Sequence, residues 1–470
     1  MKRHVFLLAA LAAAAAASLA LSQTVPSPLA PASQVDAVFS RWNTASPGCA
    51  VGVAAGGRPV LERAYGMADL EHDVANAPDT IFEAGSISKQ FTAAAVLLLA
   101  RDGKLSLDDP VRTYIPELPD YGVPLTIRHM VTHTSGLRDW GEVAGIAGWP
   151  RGKRAHTHAH VLDIVSRQKA LNFTPGTNWS YSNTGFNLAA IIVSRVSGKP
   201  FAEFTRDRVF APLGMPHTSW RDDYTRIVKH RAIAYQQGTD GYHEDMPFEN
   251  VYGNGGLLTT VGDLLRWNEN FVSPKVGDRE FVTQQQTAGR FSDGRAHEYA
   301  FGLYVRPYRG VPEVSHSGST AGYRAYLARY PEQHVSVAVL CNAANANATQ
   351  YAHAVAEAYL GSTFTTPAPA PAAAGHDGAT PAPPLSPADL AEYAGRYVSE
   401  EAETEFMIAV DGEELVLTRR PDTRLRMRAT NRDAFAVPSL GTVTFRRDGR
   451  AVTGLSVKLD RVWDLRFTRQ

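Results

Sequence analysis

The stretch FEAGSISKQFTAAAVLLLA, Phe82–Ala100, decides how this chain is read. It sets Ser86 and Lys89 three residues apart at the mouth of an apolar run. Extended to Leu105, the pattern predicts one helix that begins at Ser86 and stops at Gly103. Positions i and i+3 lie on one helix face, so the hydroxyl and the amine are expected to be neighbours. A strongly hydrated cation at the start of a core helix either escapes to water or is held beside Ser86 for a reason. The second option carries chemistry. A serine hydroxyl is a weak nucleophile until a base takes its proton, and burial lowers a lysine pKa until it can act as that base. The backbone N–H groups of a helix start also face incoming negative charge. Ser166 and Lys169 repeat the spacing in polar surroundings and read as a solvated helix face.

The chain has 470 residues, enough for one large domain and a smaller one, and 44% of them are hydrophobic. Residues 1–22 have a basic start, an Ala-rich apolar run and small residues near the end, the pattern of a secretory signal peptide. A retained anchor is the alternative. No other stretch is apolar enough to span a bilayer, so the expected location is periplasmic or secreted, with no stable membrane span after signal removal. The 47 basic and 47 acidic residues balance, which argues against a nucleic-acid partner. Cys49 and Cys341 are too few for a disulfide scaffold or a cysteine zinc site. They pair or stay as buried thiols, and they meet if the two strands that carry them pair antiparallel.

Residues 23–362 mix strand-like and helical segments, with strands near Gly48–Gly57 and His334–Ala343 at the two ends. That arrangement predicts an α+β domain whose sheet is built from both termini. Residues 363–387 are rich in Pro and Ala and read as a linker. Residues 388–470 read as an all-β domain, with hairpin signals at Asp411-Gly412 and Asp448-Gly449.

Two further elements supply possible partners for Ser86. PGTNWSYSNTGF places Tyr181 and Asn183 two apart on a Gly/Ser/Asn-rich loop. A phenol near ammonium groups ionises more readily and relays protons, and an amide orients a carbonyl or holds the lysine. Tyr252–Asn254 has the same spelling, but beside GG it reads as turn geometry. His316, Gly318 and Ser319 are expected at the beginning of a strand, where a glycine lets substrate backbone approach the edge.

Ser-x-x-Lys, Tyr-x-Asn and His-x-Gly in this order resemble the serine β-lactamase and penicillin-binding-protein superfamily, in its class C-like esterase and D-aminopeptidase branch. HTSGL at His133–Leu137 and GNGGLLTTVGDLLRW are similar to family wording. The resemblance implies a β-lactamase-like fold: an antiparallel sheet flanked by helices plus an all-helical region, followed by a small lipocalin-like all-β barrel. It implies a metal- and cofactor-independent serine hydrolase that acts by a covalent acyl-enzyme on a small-molecule or short-peptide substrate. Ser86 would be the nucleophile, with Lys89 and Tyr181 moving its proton. Backbone N–H groups of Ser86 and Ser319 would form the oxyanion hole. Asn183, His316, Gly318 and Ser319 would bind substrate, and Tyr181 would be the deacylating base.

One position departs from the pattern. β-Lactamases usually carry lysine where this chain has His316, and histidine, with a pKa of about 6.5, is mostly neutral at pH 7. Among relatives histidine here goes with esterase or D-aminopeptidase activity, leaving β-lactam hydrolysis weak at most. Arg324 is a candidate replacement cation, although a strand-surface role fits it better. His156, His158 and His160, and the pair His129 and His133, lack the glutamate and third ligand of a zinc hydrolase and read as solvated or capping residues. The rival function is a non-catalytic penicillin-recognising or cell-wall-peptide-binding protein. Its expected signature, loss of Ser86, Lys89 or Tyr181, is missing. A third reading makes the β tail a small-ligand carrier. As part of a hydrolase, the tail is expected to pack beside the site mouth and restrict substrates.

Overall fold

The computed structural model describes residues 32–367 and 385–470. The expected leader lies outside them, as does most of the expected linker. The larger unit is α+β. Its main sheet contains β1 (Cys49–Ala55), β2 (Arg58–Tyr65), β3 (Tyr304–Tyr308), β4 (Val311–Thr320), β5 (Tyr323–Tyr330) and β6 (Val335–Cys341). The order is β3-β4-β5-β6-β1-β2, antiparallel throughout, so the sheet is closed by strands from both ends of the unit. In the β1–β6 register Cys49 faces Cys341, and the two form a disulfide.

Alternation along β1 explains the layering. Cys49, Val51 and Val53 join a core with Phe39, Tyr351 and Val355 on one side of the sheet. On the other side Gly52 is small because a Cβ there would meet Leu265 and Val261 at 3.0 and 3.1 Å. Helix Val261–Glu269 therefore lies close against that face.

The apolar run after Ser86 is helical, but it does not start where the sequence predicts. Gly85–Ile87 is a 3₁₀ turn, and helix α1 spans Ser88–Arg101. The break follows from Gly85, whose φ is +52°, and from Ser88, whose Oγ donates to the Gly85 carbonyl at 2.6 Å and accepts the Leu257 N–H at 3.1 Å. Residues 88–99 of α1 are all buried, which makes it the central helix of its layer. Each fully buried leucine or valine there contributes roughly 1.5–3 kcal/mol. Gly103, at φ +67°, ends the helix as expected. Helix α2 (Trp140–Ile146) and helix α3 (Asn183–Ser197) belong to the same helical layer.

The C-terminal unit is a closed antiparallel barrel of eight strands, from β7 (Gly395–Ser399) to β14 (Val462–Arg469). Gly412 and Gly449, both at positive φ, form the two expected hairpin turns. Phe406, Phe435, Phe445, Leu455 and Phe467 are all buried, so side chains fill the interior as expected at this strand number. This packing gives no support to the carrier reading. The barrel docks against α2 and its flanks. Arg138 and Glu401 form a buried ion pair across the junction, Arg138 Nη2 donates to the Asp464 carbonyl at 2.6 Å, and Arg419 Nη1 donates to the Ile146 carbonyl at 2.8 Å. Lys169 pairs with Glu400 at the exposed rim.

Candidate active site

A pocket of about 460 Å³ opens where the main sheet, the helical layer and the barrel meet. Ser86, Tyr181, Asn183, His316 and Ser319 line it, together with Arg151, Asn254, Tyr304 and Arg461. Lys89 lies directly beneath with no exposed surface. Its Nζ reaches Ser86 Oγ at 3.0 Å, Asn183 Oδ1 at 2.9 Å and the Asn254 carbonyl at 2.7 Å. Two of these partners are acceptors only, and they occupy two N–H groups. A neutral amine in this position directs its lone pair at the Ser86 hydroxyl. Burial holds the Lys89 pKa well below the usual lysine range; Arg461 and Arg151 push the same way, and Asp139 opposes them.

Each position follows from local structure. Lys89 is in the first turn of α1, and Ser86 is on the 3₁₀ turn before it. Tyr181 lies on the loop before α3, while Asn183 is the first residue of that helix, its N–H donating to Asp139 Oδ2 at 2.7 Å. His316, Gly318 and Ser319 fall in the second half of β4 rather than at its beginning. The β3–β4 pairing ends at Tyr304–Ser315. Residues 316–320 run on past it and turn this open edge toward the pocket.

Gly318 differs from its expected role. A Cβ there would lie 2.0 Å from the Ala84 carbonyl oxygen, and a Cβ on Gly85 would lie 2.6 Å from the Ser319 nitrogen. The two glycines let the Ser86 turn and β4 touch, which brings the Ser319 amide to Ser86. The space goes to the protein's own backbone rather than to substrate.

Tyr181 also departs from expectation. Burial raises its phenol above the ordinary range and outweighs the opposing effects of the Ser86 hydroxyl contact and Arg461. Lys89 Nζ, 4.7 Å from the ring centroid, does not reverse this. The resting group is a neutral phenol. His316 behaves as expected: burial pushes its pKa down to about 3, with Lys89 adding to the effect. Its Nδ1 lies 2.6 Å from the Ser317 carbonyl and must carry the proton there, so Nε2 accepts from the Tyr299 hydroxyl at 3.0 Å.

Sequence reasoning passed over several residues. Asn254 is more than turn geometry: its carbonyl holds Lys89, and its Oδ1 accepts from Asn187 at 2.7 Å. A backbone acceptor leaves no mark in residue type. His133 is neither solvated nor capping. It is buried, packs 4.3 Å from the Tyr181 ring and accepts the Ser182 N–H on Nδ1 at 3.2 Å. HTSGL was its signal. His129 and His160 do cap helices, and His158 is half-buried with its Nε2 3.0 Å from the Tyr252 carbonyl. Arg324 does not line the pocket; its Nη1 donates to the carbonyls of Ala321 and Tyr323, both at 2.7 Å. Arg461 does line it, from the barrel. Among the described residues no group of three or more His, Cys, Asp and Glu side chains is placed to hold a metal ion, and no helix is long and apolar enough to cross a membrane.

Residues 35–361 match the model of the Beta-lactamase family, and the chain belongs to that family. It is 28% identical over 320 residues to penicillin-binding protein 4* of Bacillus subtilis (strain 168), covering 65% of this chain and 70% of that protein. It is 29% identical over 306 residues to a D-aminopeptidase of Gluconobacter oxydans (strain 621H), covering 63% of this chain and 56% of that protein. An octameric penicillin-binding protein homologue from Pyrococcus abyssi shares the fold at a TM-score of 0.61 and 23% identity, over 93% of this chain and 98% of that one. A D-amino acid amidase from Ochrobactrum anthropi SV3 does so at a TM-score of 0.59 and 21% identity, over 69% of this chain and 98% of that one.

Proposed function

We propose that the protein is an exported serine hydrolase that cleaves esters or amides, including D-amino-acid amides and short peptides, through an acyl-enzyme on Ser86. The observation that carries this is the buried Lys89 amine, fixed by Asn183 and Asn254 and aimed at Ser86 Oγ 3.0 Å away. In this reading Ser86 attacks the carbonyl and gives its proton to Lys89. Tyr181, a neutral phenol, passes the proton to the leaving group. The Ser86 and Ser319 amides stabilise the oxyanion, a contribution of about 3–4 kcal/mol per donor. Water then attacks the acyl carbon with Tyr181 and Lys89 taking its proton, the Ser86 C–O bond breaks, and the proton passes from Lys89 to Ser86 Oγ, which restores the hydroxyl and the neutral amine. No metal or cofactor enters. The relatives named as D-aminopeptidase and penicillin-binding protein support the substrate class. The Cys49–Cys341 disulfide and the leader-like residues 1–22 support a periplasmic or secreted location.

The test is kcat/KM for a p-nitrophenyl ester, a D-amino-acid p-nitroanilide and a chromogenic cephalosporin, with Ser86→Ala as the blank. Turnover of the ester or anilide that vanishes in Ser86→Ala is the expected result. Turnover that survives in Ser86→Ala ends the reading. Stoichiometric acylation with no release by the wild type returns it to a cell-wall-peptide or penicillin binder.

A further inference from the structure

His316 supplies no cation, yet the pocket is not without one. Lys89 is fully occupied by three oxygen partners. Arg151 makes two hydrogen bonds to Glu249, whose carboxylate also lies 3.9 Å from Arg221, so its charge is balanced in place. Arg461 differs. It sits in the turn between β13 (Ala451–Leu459) and β14, and its guanidinium makes no side-chain hydrogen bond among the described residues. It forms only long ion pairs, with Asp139 at 4.0 Å and Glu142 at 3.9 Å, beyond hydrogen-bond reach, which leaves its N–H groups free to bond a ligand. The guanidinium carbon lies 4.8 Å from the centroid of the Tyr181 ring, which orients the planar group over the site.

The hairpin does not need that side chain in order to dock. Its backbone does the holding: Arg461 N donates to Glu142 Oε2 at 3.0 Å, and its carbonyl accepts from the Asp139 N–H at 3.2 Å and from Asn172 Nδ2 at 3.0 Å. Trp463 N adds a bond to Asn172 Oδ1 at 3.0 Å. A docked loop thus presents to the pocket a planar fork of donors, 37% exposed and engaged only in long ion pairs, and that fork matches a carboxylate.

We propose that Arg461, supplied by the barrel, is the receptor for a carboxylate on the substrate of the Ser86 site. This rests on the hydrolase reading above and narrows it to substrates that carry an acid close to the scissile bond. The barrel is then part of the active site.

The experiment uses the full chain and two matched ester pairs. One pair carries a carboxylate or a carboxamide on the acyl chain (mono-p-nitrophenyl glutarate and its carbamoyl counterpart). The other carries it on the leaving group (m-carboxyphenyl and m-carbamoylphenyl phenylacetates). The readout is the acid-to-amide ratio of kcat/KM. The wild type should favour the acid by about tenfold or more in at least one pair. Arg461→Met should bring that ratio near unity, and Arg461→Lys should keep part of it, with thermal melting confirming that each variant is folded. A wild type without preference in either pair overturns the proposal. So does a preference that Arg461→Met leaves intact, or one that Arg151→Met abolishes instead. If the wild type hydrolyses none of the four, the hydrolase reading fails and this proposal goes with it. Turnover without Arg461 dependence sinks this proposal alone.

Discussion

Gly318→Ala separates the Ser86 turn from the strand that completes it. The added methyl would sit 2.0 Å from the Ala84 carbonyl oxygen, where contacts shorter than 3.0 Å are not tolerated, so turn and strand must part by at least 1 Å. Neither side yields easily. Ala84 N is bonded to the Leu257 carbonyl at 2.8 Å, and β4 is held along its length by β5. The φ of Gly318 lies outside the left-handed region, so alanine carries no dihedral penalty and the clash acts alone. The displacement moves the Ser319 amide off the site where an oxyanion would form. Loss of one such donor costs about 10²–10³ in kcat. Overpacking of this kind costs about 1–3 kcal/mol of stability. The Lys89 network should survive, because Asn183 and Asn254 lie on other elements. Stopped-flow acylation by p-nitrophenyl acetate, with near-UV circular dichroism and urea melts, measures each effect. Gly103→Ala is the control: at φ +67° with nothing within 4 Å it stores backbone strain far from the pocket. It should lose about 1–2 kcal/mol and keep its kcat. A folded Gly318→Ala enzyme with kcat within about threefold of wild type would refute the oxyanion assignment.

Lys89→Met should lower kcat/KM by about 10²–10⁴. Because burial depresses the Lys89 pKa, the unfolded chain binds the extra proton between the folded pKa and about 10.4, so wild-type stability should rise with pH across that window relative to the variant. Urea melts at pH 7 and 9 on both proteins check that slope. Glu142 behaves in the opposite sense: burial, with Asp139 adding, raises its carboxyl to about 7. The folded state binds more protons between about 4.3 and that value, so wild-type stability should fall as pH rises through the window, on the order of 3–4 kcal/mol, and Glu142→Gln should flatten the curve. Glu401→Ala should destabilise the protein by about 3–5 kcal/mol by leaving buried Arg138 without its counter-ion. Burial outweighs Arg138 in raising the Glu401 carboxyl, so this cost belongs to the orphaned cation rather than to the attraction. Calorimetry that finds less than about 1 kcal/mol would contradict it.

The parts of the site that were legible in the sequence are those written in short segments. Ser86 and Lys89, Tyr181 and Asn183, and His316 to Ser319 each sit within four residues of their partner, where local geometry limits what the spacing means. The strands near Gly48 and His334 were legible too, because burial on both faces leaves an almost unbroken apolar run. Arg461 was not: it is one of many arginines in a charge-balanced tail, and only tertiary docking sets it apart. The Asn254 carbonyl could not be read, since every residue type offers the same atom. The neutral state of Tyr181 depends on the balance between burial and nearby cations, and neither is encoded locally. Gly318 was noticed for the right property and given the wrong neighbour, because close approach does not say what approaches.

The main sheet has a kinetic consequence. Strand β1 finds β2 at once, but its other neighbour, β6, begins at Val335. Long-range pairing of this kind folds slowly, since the loop must close before any contact rewards it. The Ser86 turn is made early in the chain, and the Ser319 amide that completes it arrives on the late strands. Regain of hydrolysis after dilution from denaturant should therefore lag behind helix formation and coincide with the final closure of the sheet.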